Sequence, residues 1–241
     1  MKTTTTLLAL FIGISTVNAQ NWGKNKIKGS GNEITVTRTT LDYDEIVTGG
    51  AFLVELVAGK EGTITMVGDD NLLELIVTEV ENNKLKIYLN KGTWFDSRGE
   101  KIKITIPFQD ISKINFGGSG KITTKNPIKA NDLDINLSGS GNAKIDVNTT
   151  SLYAVLSGSG NLNVDGSTSN IEAKLSGSGG IDCSKITSEN ATATISGSGN
   201  IELNCSKSLT AKISGSGNVI YSGNPETVDK KVSGSGNITK N

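Results

Sequence analysis

A glycine-serine-glycine phrase returns through the C-terminal half of the chain at nearly constant intervals. It reads GGSGK from Gly117, LSGSGN from Leu137 and Leu156, LSGSGG from Leu175, ISGSGN from Ile195 and Ile213, and VSGSGN from Val232. The first glycine of each phrase falls at Gly118, Gly139, Gly158, Gly177, Gly197, Gly215 and Gly234. The second follows two residues later, at Gly120, Gly141, Gly160, Gly179, Gly199, Gly217 and Gly236. Successive phrases are 18 to 21 residues apart. A fixed period of this size marks a solenoid, in which each repeat is one turn stacked on its neighbours.

The residues between the phrases say what each turn is made of. Two before the first glycine stand Leu137, Leu156, Leu175, Ile195, Ile213 and Val232. Four before it stand Ile135, Ala154, Ala173, Ala193 and Ala211, and four after it Ala143, Leu162, Ile181, Ile201 and Val219. The apolar columns are even, and the odd ones hold mostly Ser, Thr, Asn, Lys, Asp and Glu. Alternation at period two is the pattern of strands with one face buried, whereas a helix would space its apolar residues three and four apart. Both glycines are in phase with the inward positions, so they read as corners that point toward the core of a narrow coil, where a Cβ would collide with the rung above or below. The following Asn closes the corner, by left-handed backbone or by bonding its neighbours.

Stacked turns of this kind form a right-handed parallel β-helix, the handedness following from the preference of parallel crossovers. Seven turns at about 4.8 Å each make a rod about 30 Å long. The last turn, VDKKVSGSGNITKN, puts Lys230 and Lys240 in columns that are mostly apolar elsewhere. Inward charge on a terminal rung discourages further strand pairing, with terminal fraying as the alternative. Residues 20–116 are less regular but still alternate, in NEITVTR, FLVELVAG, GTITMVG, NKLKIYLN and KIKITIPF. They read as an irregular β-rich cap, continuous with the regular coils of 117–241 in one elongated domain. Within the cap, NLLELI (Asn71 to Ile76) is the one short helix candidate, with Asp70 or Asn71 to cap it, and Asn82-Asn83 marks a hairpin turn.

The stretches GSGNEITVTRTTLDYDEIVTGGAFLVEL, GDDNLLELIVTEVENNKLKIYL and KIKITIPFQDISKINFGGSGKI, followed by the serial SGSGN turns, resemble the bacterial auto-transporter adhesin "head GIN" domain family. The resemblance runs from about Gly29 to Asn237. It implies a right-handed β-helix in an exported protein, and it brings no catalytic residues to transfer.

The chain's start agrees with export. Residues 1–19 carry Lys2, an apolar run from Leu7 to Ile14 and Val17-Asn18-Ala19 before the expected cut, so they read as a secretory signal peptide rather than a membrane anchor. No later stretch is long and apolar enough to span a bilayer. Charge is balanced, at 24 basic and 24 acidic residues, and aromatics make up 5% of the 241 residues. With neither a basic stripe nor stacking platforms, nucleic acid is not an expected partner.

The sequence has no His. That excludes Ser-His and Cys-His nucleophile pairs, imidazole acid–base chemistry and His metal ligands. No catalytic residue, cofactor site or metal site is assigned. Two outward carboxylate pairs, Asp146 with Asp165 and Asp182 with Glu202, fall on adjacent turns and read as a solvated face, with Ca²⁺ binding or acid–base work as the alternative. GSGGID, from Gly177 to Asp182, shares glycines and an aspartate with Ca²⁺-binding nonapeptide repeats, but its period near 19 sets it apart. Cys183 and Cys205 sit in inward columns one turn apart and read as buried thiols, a disulfide remaining open. Trp94 and Phe95, in GTWFDSRGE, read as lying in a turn between strands, where they either cap the end of the β-helix or form a contact for sugar or protein.

These readings predict an exported, non-enzymatic, adhesin-like binding protein whose partner is a surface, a glycan or another protein. The alternatives are a carbohydrate-active enzyme on the same scaffold, which would need converging carboxylates in a groove, and a structural or envelope-sensing module.

Overall fold

The computed structural model describes residues 26–90, 92–96 and 102–241. The signal-peptide reading of residues 1–19 therefore lies outside the described residues. The N-terminal part contributes β1 (Lys26–Lys28), β2 (Glu33–Thr39), β3 (Glu45–Gly50), β4 (Leu53–Ala58), β5 (Thr63–Asp69), α1 (Asp70–Leu73), β6 (Ile76–Glu81), β7 (Lys84–Leu89), β8 (Trp94–Asp96) and β9 (Lys103–Phe108). The repeats contribute β10 (Lys113–Gly118), β11 (Lys121–Thr124), β12 (Ile128–Gly139), β13 (Asn142–Gly158), β14 (Asn161–Gly177), β15 (Gly180–Gly197), β16 (Asn200–Gly215), β17 (Asn218–Ser222), β18 (Thr227–Gly234) and β19 (Asn237–Lys240).

From β10 onward every pairing is parallel, and the result is a β-solenoid of about seven turns. The sequence columns become vertical ladders. Leu137 pairs with Leu156, Leu156 with Leu175, Leu175 with Ile195, and Ile195 with Ile213. These side chains and the Ala154–Ala173–Ala193–Ala211 column are buried. The small alanines let opposite walls approach, so the regular coils are narrow. The wider N-terminal end is filled by Tyr43, Phe52 and Phe116.

A period near 19 is odd, so strict alternation has to slip once per turn. In β13 the buried residues are Ala143, Ile145, Val147 and Thr149, then Leu152, Ala154 and Leu156. The phase changes between Thr149 and Leu152, at a second corner that has no glycine. Buried hydroxyls hold it instead. Thr149 Oγ1 lies 3.0 Å from Thr168 Oγ1, and the Thr168 hydroxyl lies 3.2 Å from the Thr150 carbonyl and 3.0 Å from that of Asn170. One rung on, Ser188 Oγ donates to the Asn204 carbonyl at 2.6 Å. These bonds satisfy carbonyls that leave the ladder at the bend.

At the glycine corner the two glycines do different jobs. The first takes positive φ, as at Gly158 (134°), and is exposed or half-exposed; the second, as at Gly160, is buried with ordinary φ. A Cβ on the second would meet core side chains at several corners, Phe116 for Gly141, Leu156 for Gly179 and Leu175 for Gly199. At Gly158 and Gly160 the closer obstacle lies along the stack, where a Cβ would sit well under 3.0 Å from a backbone oxygen of the preceding turn: Gly139 O for Gly158, Gly141 O for Gly160. The stacking distance, more than the width of the core, is what demands glycine here. Where an Asn follows a corner it keeps negative φ, since among the described residues the only non-glycine residues at positive φ are Asn82 and Asn83.

That Asn pair forms the β6–β7 hairpin turn, with φ of 50° and 59°. The helix is shorter than its sequence suggests. It ends at Leu73, buries Leu72 and Leu73, and has no side-chain cap bond; Ile76 already begins β6. Arg38 explains the early exit, because its guanidinium donates to the Leu73 carbonyl (2.8 Å) and the Ile76 carbonyl (2.5 Å), carbonyls a longer helix would keep.

Turns of the N-terminal region do not stack in chain order. β3 lies between β7 and β10, and β4 between β9 and β11, all parallel. The β7–β9 turn is thus outermost, although it follows β3 and β4 in the chain. Antiparallel strands cover it: β6 on β7, and β5 on both β9 and β2. A further corner, Gly49-Gly50-Ala51-Phe52, stacks on the first repeat, with Gly50 opposite Gly118. In the last turn, Lys230 folds over the core end, its Nζ 4.8 Å from the Tyr221 ring centroid and 3.3 Å from the Ile238 carbonyl oxygen. Lys240 donates to Asn224 Oδ1 at 2.7 Å.

Candidate binding surface

Outward residues of parallel in-register strands form straight ladders, and where a ladder changes residue type the outer face is dented. Three shallow grooves arise in this way. The first spans β7, β3, β10, β12 and β13. Its floor is low because Gly49 and Gly117 occupy the outward column that holds Ser138 and Ser157 in the next turns. Val47 and Val155 make the walls apolar, Tyr88 stands at the rim, and the dent encloses about 410 Å³. The Tyr88 hydroxyl donates to Glu79 Oε1 at 2.9 Å, and this bond, with partial burial, raises its pKa above the usual phenol value.

The second groove lies beside the hydroxyl corner and is polar. Asp132, Asp134, Tyr153, Asn170, Glu172 and Asn190 line a space of about 410 Å³. Lys174 Nζ sits 4.8 Å from the Tyr153 ring centroid, 3.1 Å from its hydroxyl and 2.6 Å from Glu172 Oε1. The Glu172 bond is the main cause of a raised Lys174 pKa. Lys113 pairs with Asp134 at 3.3 Å. The charges are thus mutually matched rather than focused on one point.

The third groove follows the Asn residues after the glycine corners. Asn161 Nδ2 donates to Asn142 Oδ1 (2.9 Å), Asn218 Nδ2 to Asn200 Oδ1 (3.0 Å) and Asn237 Nδ2 to Asn218 Oδ1 (3.4 Å). In these three pairs the amide binds the one below it, a ladder that sequence columns mark only as a repeated Asn.

The carboxylate pairs foreseen in the sequence do lie on adjacent rungs, Asp146 opposite Asp165 and Asp182 opposite Glu202. Lys144 approaches Asp165 to 3.9 Å, and Asp182 Oδ1 accepts from the Ser184 amide and hydroxyl. Among the described residues, no group of three or more His, Cys, Asp or Glu is placed to hold a metal. Cys183 and Cys205 are both buried free thiols, in register with Leu203 and Ser188 respectively. Burial pushes the Cys183 thiol pKa far above its usual range and raises that of Cys205. Trp94 and Phe95 stand on β8, paired with β1, rather than in a turn. The Phe95 ring stacks on buried Phe52, centroids 6.5 Å apart, which places it in the closure of the core end. The Trp94 side chain lies outside the described residues.

No helix among the described residues is long and apolar enough to cross a membrane. A stack of parallel turns with shallow, open grooves on its outer ladders defines a repeat scaffold of the kind that presents extended surfaces. The chain belongs to the family described as "Putative auto-transporter adhesin, head GIN domain", whose model matches residues 42–225. A crystal structure of a "putative adhesin" from Bacteroides fragilis NCTC 9343 is 24% identical, covers 89% of this chain and 100% of its own, and superposes with a TM-score of 0.85. A "putative lipid binding protein" from Parabacteroides distasonis ATCC 8503 is 31% identical, with 90% and 100% coverage and a TM-score of 0.73. A "putative adhesin" from Parabacteroides merdae ATCC 43184 is 22% identical, with a TM-score of 0.74. The comparison with curated proteins gives no match.

Proposed function

We propose that this chain is an exported, adhesin-like binding protein without enzymatic activity, which holds a glycan or protein of the cell envelope against its outer ladders. The observation that carries this reading is the register of those ladders. Polar side chains recur every rung, about 4.8 Å apart, on a backbone whose bonds are already satisfied. A repetitive partner can then be met by several weak contacts in series, which gain from effective concentration. The family membership supports the adhesin class. Export rests on the leader read in residues 1–19. Pairing of β3 with β10 and of β4 with β11 supports one elongated domain across 20–116 and 117–241.

The test is a glycan array and an envelope-fraction pull-down with the chain from Gln20, run beside a polysaccharide-cleavage screen. Retention of a glycan or envelope protein without cleavage is expected; cleavage, or no retention in either format, overturns the reading. One observation favours a second occupant, an apolar chain such as a lipid tail: the Gly49–Gly117 dent with Val47 and Val155, in a chain 31% identical to the protein described as lipid binding. Vesicle co-sedimentation, lost on Val47→Asp, separates the two.

A further inference from the structure

The amide ladder has one missing step. The first glycine corner is followed by Lys121 and the next six by Asn142, Asn161, Gly180, Asn200, Asn218 and Asn237, so a glycine interrupts a row of asparagines. Gly180 is in register with Asn161 on one side and Asn200 on the other. Elsewhere each Oδ1 receives the Nδ2 of the next turn. At the break, no described side chain donates to Asn161 Oδ1, and Asn200 Nδ2 has no described acceptor. The two amides stand two rungs apart, about 9.6 Å, a separation that one further planar amide fills in the intact parts of the ladder. The gap belongs to the third groove, of about 370 Å³, which Asn163, Asp182 and Glu202 also line.

We propose that this gap is a subsite for the acetamido group of an N-acetylated sugar. The inference rests on the glycan reading above and names the sugar class. An acetamido group has the same donor and acceptor as the absent Asn side chain: its N–H donates to Asn161 Oδ1, and its carbonyl accepts from Asn200 Nδ2. The Gly180 backbone leaves it room, since a Cβ there would meet only Asn161 Oδ1, at 3.3 Å, and the Asn200 carbonyl oxygen, at 3.9 Å. The neighbouring carboxylates decide between a sugar and a peptide amide. Asp182 and Glu202 present acceptors beside the gap, which suits the hydroxyls flanking an acetamido group on a pyranose ring. A ligand lacking the amide forgoes both of these hydrogen bonds, each a modest net gain at a solvent-exposed site.

The test titrates the chain from Gln20 with oligomers of N-acetylglucosamine, the same oligomers after deacetylation, cello-oligosaccharides and an acetyl-lysine peptide, by calorimetry. The N-acetylated oligomer binds, and the others bind at least about tenfold more weakly. Gly180→Asn, which supplies the missing amide, abolishes binding. Asn200→Asp, which removes the donor but keeps the acceptor for Asn218, weakens it at least about tenfold. Circular dichroism and a thermal melt of both variants verify the fold. If Gly180→Asn does not fold, Asn200→Asp decides alone. Equal binding of the deacetylated oligomer, tighter binding of the peptide, or undiminished binding by a folded variant overturns the subsite. An array signal from glycans without N-acetyl groups leaves the broader glycan reading standing while removing this inference; no glycan signal at all removes both.

Discussion

The glycine corner carries two separable demands, and three alanine substitutions divide them. Gly160→Ala meets the clash alone: φ is ordinary, but the new Cβ falls well under 3.0 Å from Gly141 O. That oxygen accepts the Asn161 amide at 3.1 Å, so relieving the clash stretches a rung-to-rung bond. Overpacking costs about 1–3 kcal/mol and a weakened buried backbone bond about 1 kcal/mol, giving about 3 kcal/mol. Gly158→Ala has the same clash, against Gly139 O, and adds φ of 134°, for another 1–3 kcal/mol or so and about 5 kcal/mol in all. Gly31→Ala meets only the conformational demand: φ is 82° and nothing lies within 4 Å, so the loss is about 1 kcal/mol. In a domain of this size each kcal/mol moves Tm by about 2–4 °C. Thermal melts followed by circular dichroism should show drops of about 6–12 °C for Gly160→Ala, more for Gly158→Ala, and about 2–4 °C for Gly31→Ala. A Gly160→Ala protein melting within about 1 °C of the parent would refute the argument that stacking distance selects glycine.

Two further outcomes are expected. Removing the buried corner hydroxyl with Thr168→Val should cost about 1–2 kcal/mol in urea denaturation, whereas Thr168→Ser should recover most of it; equal losses would show that shape alone holds the bend. Burial raises the Cys183 thiol pKa in the folded state, so the unfolded chain releases its proton first as pH rises. That stability is fully present below the ordinary thiol value of about 8.5 and declines above it, and Cys183→Ala should flatten the decline measured by denaturation between pH 7 and 10 or so.

Much of the repeat was legible because period two and the glycine spacing are local signals. Leu156 is buried for the reason its column suggests, and Asn82-Asn83 makes the turn that its residue type favours. Other features have no such local trace. The phase slip follows from an odd period, but its place depends on Thr149, Thr168 and Ser188, polar residues at buried positions. The early helix end depends on Arg38, more than 30 residues away in sequence. The order of turns at the N-terminal end was hidden because alternation marks a strand without naming its partner, and β5 alternates as well in an antiparallel pair as β12 does in a parallel one. Of the candidate site, Asp182, Glu202 and the GSGGID phrase were visible, but Gly180 acquired meaning only once Asn161 and Asn200 stood on either side of it.

The interleaving of β3 and β4 between later strands bears on how the chain matures. As the chain emerges N-terminus first, β3 and β4 have neither lateral neighbour, and they stay unprotected until residue 108 has passed for one flank and residue 124 for the other. Assembly of this end therefore requires a long nascent segment to be free at once. After that, each new turn finds a finished template and can add singly, so a holding chaperone would be needed early and dispensable late.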